Sequence, residues 1–349
     1  MRGLTVQPGV ANSIELTELP EVRPSKGDVL LEALALGICG TDREIIAGEY
    51  GEAPKGDNRL VLGHESLARV LEAPSGSGLA PGDLVVPIVR RPDPVPCPNC
   101  AVGEWDMCRN GRYTEHGIKG EHGFGAEQLQ LEPNRLVKLD PALGANGVLL
   151  EPASVLAKAW EHIERIGQRA RWTPERVLVT GAGPIGLLAA LMARQRGLEV
   201  HVLDIVKEGP KPRLVQQLGA TYHSDGIDRV DMIPDVTLEC TGVASLVIDT
   251  MCQSAHGGIT CLTGVSSGGR KIEVDMASLN KTMVLENDVV FGTVNANRRH
   301  YEAAAQSLAQ ADPQWLSGLI TRRVPLASWQ QAFQRHDNDV KVVIDFETH

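Results

Sequence analysis

The sequence predicts an α/β chain of two domains, a doubly wound parallel sheet beside a mixed, mainly β unit. Three observations carry that prediction. From Arg176 onward strand-like and helix-like stretches alternate: RVLVT, LLAALMARQRG, EVHVLD, LVQQLGA, VTLECTG, SLVIDTMCQSA, GITCLTG and VVFGTV. Such alternation builds a parallel sheet covered by helices. VTGAGPIG at 179–186 sets Gly181, Gly183 and Gly186 in G-x-G-x-x-G spacing between a strand and a helix. And 349 residues are too many for one simple core.

The first 150 residues read differently. DVLLEALALG, RLVLGHESLARVLEA and GDLVVPIV are short apolar runs punctuated by Gly and Pro, the signature of a loop-rich β unit. VLAKAWEHIERIG then has helical periodicity and joins the two units. The tail from RRHYEAAAQSLAQ to KVVIDF adds a helix and closing strands.

Composition removes several function classes. An apolar fraction of 42% describes a globular chain, and no window of about 18 apolar residues reads as a transmembrane helix. A net charge of −10 disfavours nucleic acid or an anionic membrane as partner. MRGLTVQPGV lacks the apolar core of a signal peptide, which points to the cytoplasm. Seven cysteines, three of them clustered, then favour metal ligation and free thiols over disulfides.

The glycine loop carries the first chemistry. Gly181 turns the chain, Gly183 lets backbone N–H groups approach a pyrophosphate, and Gly186 permits close helix–strand packing. Pro184 and Ile185 complete the loop, and Thr241 and Thr263 close the next two strand segments as further cofactor-binding candidates. Asp204 ends EVHVLD, where its carboxylate can accept both ribose hydroxyls of NAD and repel the 2′-phosphate of NADP. NAD is the favoured cofactor. Lys207, Lys211 and Arg213 follow, and any of them reaching a phosphate would reverse that preference.

The second chemistry is metal-dependent. Cys39 in GICGTDREI, His64 in GHES and Glu151 in LLEPAS offer a thiolate, an imidazole and a carboxylate. Three such ligands leave the fourth tetrahedral position of Zn²⁺ open, as a catalytic site needs. Singly, a buried Cys or His is more often core packing. Asp42 is placed to accept the other ring N–H of His64 and fix its tautomer. A second cluster, CPNCAVGEWDMC, contributes Cys97, Cys100 and Cys108. Cys240, Cys252 and Cys261 read as small buried apolar residues.

Taken in order, these landmarks resemble the zinc-containing medium-chain dehydrogenase/reductase superfamily. GICGTDREIIAGEYGEAPKGDNRLVLGHES, YTEHGIKGEHGFGAEQ and FGTVNANRRHYEAA resemble its glucose 1-dehydrogenase branch, from about residue 25 to the C-terminus. The resemblance implies a Rossmann domain at 157–294 and a GroES-like catalytic domain at 1–156 completed by 295–349. It implies an NAD(P)-dependent zinc enzyme, dimeric or tetrameric, that oxidises a D-glucose-type aldose at its anomeric carbon to the lactone.

Residue by residue, the resemblance adds roles. Glu65 lies close to the metal, binding it directly or through water, or else supports the site from behind. Thr41 stands where the superfamily places the hydroxyl that relays the substrate proton; the relay histidine of classical alcohol dehydrogenases is not evident, and Glu44 stands nearby. Glu115 and Asn295 match sugar-binding positions, Asn295 also standing among the cofactor candidates, whereas Val89 replaces a sugar-contacting Asn. His116 and His122 read as packing or surface residues. The branch places arginines after the second Rossmann strand, where this chain has Ile205 and Val206.

Cys97, Cys100 and Cys108 match three of four sulfurs of a structural zinc lobe. The fourth position is Pro94, leaving Asp93 as an oxygen ligand or the lobe metal-free. A polyol or L-threonine dehydrogenase with the same site is the nearest alternative, and a non-catalytic dinucleotide-binding protein the more distant one.

Overall fold

The computed structural model describes residues 1–23, 25–266 and 271–347. The chain divides into two compact units, residues 1–154 with 295–349, and residues 155–294.

The first unit is organised by one strand, Val29–Ile38. Its sequence VLLEALALGI alternates buried and partly exposed residues at first and then becomes wholly buried. A strand covered on both faces has to be apolar at every position, and the sequence changes texture where the cover begins. Glu65–Glu72 lies antiparallel along one side. Along the other side run Gln128–Leu131 beside its first half and Lys341–Asp345 beside its second. Leu84–Pro87, Leu136–Lys138 and Ile320–Pro325 extend the sheet to seven strands. Leu36, Ile38, Val342 and Ile344 form a core on this sheet with Val324 and Phe346. The C-terminal tail is therefore a central component of this sheet, because Lys341–Asp345 pairs directly with Val29–Ile38.

The second unit carries six parallel strands in the order Thr221–His223, Glu199–Leu203, Arg176–Thr180, Val236–Glu239, Ile259–Leu262, Val289–Gly292. That is the Rossmann order, and the central strands are buried along their length, as parallel strands between two helical layers must be. Thr180 and Glu239 stand at the carboxyl ends of the two strands flanking the switch point.

The helix expected at 155–167 begins earlier, at Leu150, and runs to Gly167. Glu151 thus sits in a helical first turn. The cysteine reading needs correction: Cys261 is buried, but Cys240 is only half-buried and Cys252 is exposed at the last turn of Ala244–Cys252. Among the described residues no helix is long and apolar enough to cross a membrane.

The glycine loop is set by one close approach. Gly181 has φ 89°, and a Cβ on Gly186 would fall 1.7 Å from the Gly181 carbonyl oxygen. Gly186→Ala should cost about 3 kcal/mol, the upper end of what overpacking typically costs, and should abolish nucleotide binding. Thermal unfolding and nucleotide titration check this; wild-type behaviour in both would show that the loop is not held by that contact.

Candidate functional site

Cys39 directly follows the long strand and caps the helix Gly40–Ala47. Asp42, at the third position of that helix, returns its carboxylate to the Cys39 N–H at 2.9 Å. This reciprocal cap fixes the turn that presents the thiol. His64 precedes the strand Glu65–Glu72, and its Nε2 lies 3.1 Å from the Cys39 sulfur. Its Nδ1 stands 3.4 Å from Asp42 Oδ1, the partner the sequence proposes. Glu65 brings a carboxylate oxygen within 4.8 Å of both donors, so Cys39, His64 and Glu65 form one cluster.

Gly37 explains how Glu65 reaches there. The two residues are opposite in register, and a Cβ on Gly37 would meet Glu65 Oε2 at 2.3 Å. Glu65 crosses the bare glycine to Lys341 Nζ at 2.5 Å, which also donates to the Ile38 carbonyl. Both members of this ion pair are buried.

Glu151 stands outside the three-donor cluster but within its field. Burial raises its carboxyl to about 7, against the pull of His64. Burial also pushes the Cys39 thiol up, with His64 opposing. For His64, burial works against the charge, yet Cys39 and Asp42 outweigh it and raise the imidazole well above its ordinary value. Four acidic groups, Cys39, Asp42, Glu65 and Glu151, thus share the site with two basic ones, His64 and Lys341. A divalent cation would balance that set, and thiolate, imidazole and carboxylate suit zinc. Zinc bound there would supply Lewis acidity to an adjacent oxygen. Thr41 lies in the first turn of the same helix, partly exposed.

The candidate sugar residues converge as well. Glu115 Oε1 accepts from Arg90 Nε at 3.1 Å, Arg90 Nη2 at 3.0 Å and Asn295 Nδ2 at 2.6 Å. Arg90 is held in turn by the Asp106 carbonyl and by the face of Tyr113, 3.7 Å from the ring centroid. One carboxylate oxygen is therefore saturated, and no described residue donates to Oε2. Asn295 adopts φ 62° and uses its own Oδ1 to accept from the Ala296 N–H. Val89 packs into the apolar core instead. His116 is a buried packing residue: burial lowers its pKa to about 4, and both ring nitrogens have partners, the His122 carbonyl and Arg91.

In the cysteine lobe, Cys97, Cys100 and Cys108 gather within 4.8 Å of one another. N–H groups of Arg109 and Cys100 point at the Cys97 sulfur and lower its pKa to about 6. Asp93 does not join them. Its oxygens accept from the Val95 N–H, Asn110 Nδ2 and the Arg112 guanidinium, so the proposed oxygen ligand is committed elsewhere.

In the second unit Gly183 caps the helix Pro184–Gln195, with Pro184 first in it, followed by Ile185. Buried Glu239 ties the strand ends together, accepting from Thr180 Oγ1 at 3.1 Å, Thr241 N at 2.8 Å and Gly242 N at 3.1 Å. The hydroxyls of Thr241 and Thr263 both bond to Glu239, so they brace the loops from within. Asp204 faces the glycine loop and accepts from the Ala182 N–H at 2.7 Å.

Comparison with known proteins identifies the family. Residues 25–141 match the alcohol dehydrogenase GroES-like domain and residues 144–346 the glucose dehydrogenase C-terminus. The chain belongs to the glucose dehydrogenase family of zinc-containing medium-chain dehydrogenases. It is 41% identical to a glucose 1-dehydrogenase of Thermoproteus tenax over the full length of both chains. It is 38% identical to glucose 1-dehydrogenase 2 of Vulcanisaeta moutnovskia, covering 99% of each. Among solved structures it resembles Haloferax mediterranei glucose dehydrogenase in complex with NADP, Zn and gluconolactone, with TM-score 0.92, 31% identity and full coverage of both chains.

Sequence reasoning missed Lys341 and Arg90. The only signal for Lys341 is a charge heading the apolar run KVVIDF, and for Arg90 a charge directly after VVPIV. Lys341→Met should destabilise the metal-free protein by about 3 kcal/mol, because it strands a buried carboxylate. Adding Glu65→Gln should recover most of that loss. Urea denaturation of the two single variants and the double variant measures the coupling; a Lys341→Met protein within about 0.5 kcal/mol of wild type would disprove it.

Proposed function

We propose that the protein is a zinc-dependent glucose 1-dehydrogenase. It oxidises the anomeric carbon of a D-glucose-type aldose to the lactone, with one hydride passing from C1 to a nicotinamide cofactor and one proton leaving O1. The observation that carries this reading is the Cys39–His64–Glu65 cluster beside Glu151, with its surplus of buried acidic groups. Cys39, His64 and Glu151 are the residues proposed to hold zinc, and Glu65, paired here with Lys341, could serve as a further ligand, directly or through water. Thr41 is proposed to take the O1 proton through its hydroxyl. Glu115 and Asn295 bind sugar hydroxyls, Glu115 through the Oε2 that no described residue engages.

The selection of a polyhydroxylated substrate follows from that carboxylate. A site built to accept hydroxyl donors rejects an analogue lacking them, since the buried acceptor would stay unpaired. Gly181, Gly183, Pro184, Ile185 and Gly186 are proposed to hold the pyrophosphate, with Thr241 and Thr263 behind them and Asn295 as a further cofactor-binding residue. Asp204 at the ribose favours NAD⁺ over NADP⁺. A panel of aldoses, polyols and L-threonine, followed by nicotinamide absorbance, tests the reading. Glucose-type aldoses should be turned over at least tenfold better than sorbitol or threonine, and the reverse order would overturn the sugar assignment.

The enzyme is proposed to be a cytoplasmic homo-oligomer, a dimer or tetramer. Seven free cysteines suit a reducing compartment. Among the described residues Val289–Gly292 is an edge strand paired on one side only, and Val284 and Leu285 nearby in sequence are 65% and 67% exposed. An apolar unpaired edge is the surface that association would cover.

Metal dependence gives the sharpest check. Cys39→Ala or His64→Ala should abolish turnover, by at least a thousandfold, while nucleotide binding survives; full activity in protein shown by elemental analysis to lack zinc would refute the mechanism. The lobe at 97–108 is proposed to hold a second zinc through its three thiolates. Elemental analysis should then approach two zinc atoms per chain and fall to one in Cys100→Ser. One atom in both proteins would mean a metal-free lobe.

A further inference from the structure

The residue Asp204 does not stand alone at the end of the strand Glu199–Leu203. Lys211 Nζ lies 3.1 Å from its Oδ2 and 3.3 Å from its Oδ1. Both side chains are largely withdrawn from solvent, 8% exposed for Asp204 and 16% for Lys211. The other two cations after this strand are occupied differently. Lys207 pairs with Asp225 at the surface, and Arg213 Nε donates to the Gly209 carbonyl one turn back. Ile205, directly after the aspartate, is 90% exposed and offers no donor beyond its backbone.

A carboxylate has about four acceptor positions, and in Asp204 all four have donors. Ala182 N–H and Val206 N–H take one on each oxygen, and Lys211 spans the two oxygens. The backbone donors are fixed by the glycine loop and by the turn after the strand. Only the lysine, on a flexible four-carbon stem, can leave. A ribose diol seeking the same two oxygens has to displace Lys211. A 2′-phosphate meets an ion pair instead of a bare carboxylate, and the ammonium can turn to it while Asp204 keeps its two N–H bonds.

We propose that Lys211 is the specificity-determining residue for the adenosine 2′ position: it shields Asp204 and is the cation that admits a 2′-phosphate. The proposal rests on the reading of this unit as a nicotinamide cofactor site. It makes the preference for NAD⁺ shallow, because the charge that would exclude NADP⁺ is compensated before the cofactor arrives. It also assigns to one lysine, seven residues beyond the aspartate, a task that residues immediately after the strand leave undone.

Calorimetric titration of the full-length protein with 5′-AMP and with 2′,5′-ADP isolates the 2′ position from catalysis. Lys211→Met should weaken 2′,5′-ADP at least tenfold and tighten 5′-AMP two- to threefold, since Asp204 is then free for the diol. Lys211→Arg should keep the phosphate affinity, and Asp204→Asn should strengthen it. The kcat/KM ratio of NAD⁺ to NADP⁺ should rise at least tenfold in Lys211→Met. Equal losses for both fragments, or no change in either, would overturn the assignment. Should Lys211→Met fold poorly, Lys211→Gln and Asp204→Asn provide the same opposed shifts. Failure of wild-type protein to bind either fragment would instead refute the cofactor reading beneath it.

Discussion

A surplus of buried acidic groups over basic ones governs the Cys39–His64–Glu65 end of the first unit. Cys39, Asp42, Glu65 and Glu151 lie within one another's field with only His64 and Lys341 as basic partners, and burial pushes Cys39 and Glu151 toward their neutral forms. A buried carboxylate left without a partner is costly, so each has a specific device. Asp42 is tied to a helix cap and faces His64, Glu65 reaches Lys341, and Glu151 has its pKa raised by burial. A divalent cation bound there would favour the ionised forms of Cys39 and Glu151. Burial works against the Lys341 charge, but Glu65 outweighs it and raises its pKa, so the pair stays ionised.

That arrangement also explains the topology. Lys341 reaches Glu65 only because the last strand returns to pair beside Val29–Ile38, with Ile38 opposite Val342. Gly37 must be bare because the Glu65 side chain crosses it. The tail is thus bound to the site twice, by backbone pairing and by a buried charge. A change in the C-terminal strand would be felt at the Cys39–His64–Glu65 cluster some 300 residues earlier in sequence.

What the sequence disclosed follows from how local each signal is. The glycine loop, the helix after it and Asp204 lie within one βαβ segment, so spacing alone identified them. Cys39 and Asp42 form a cap within four residues, again a local pattern. Lys341 and Arg90 left almost no trace, because their partners Glu65 and Glu115 are 276 and 25 residues away and pairing depends on tertiary register. Asp93 shows the opposite failure. Proximity in sequence to Cys97 made it a ligand candidate, but two side chains and a backbone N–H claim its oxygens.

The cofactor unit repeats this lesson with a chemical consequence. Asp204 read from sequence is a bare charge, and like charges about 4 Å apart repel by roughly 4 kcal/mol at an effective dielectric near 20. Lys211 at 3.1 Å turns that monopole into an ion pair, whose field at a 2′-phosphate falls off far faster than that of the carboxylate alone. The two units therefore use the same construction, a largely buried carboxylate and a lysine that makes it tolerable: Glu65 with Lys341, Asp204 with Lys211. In each, the lysine is absent from the motif that identifies the site.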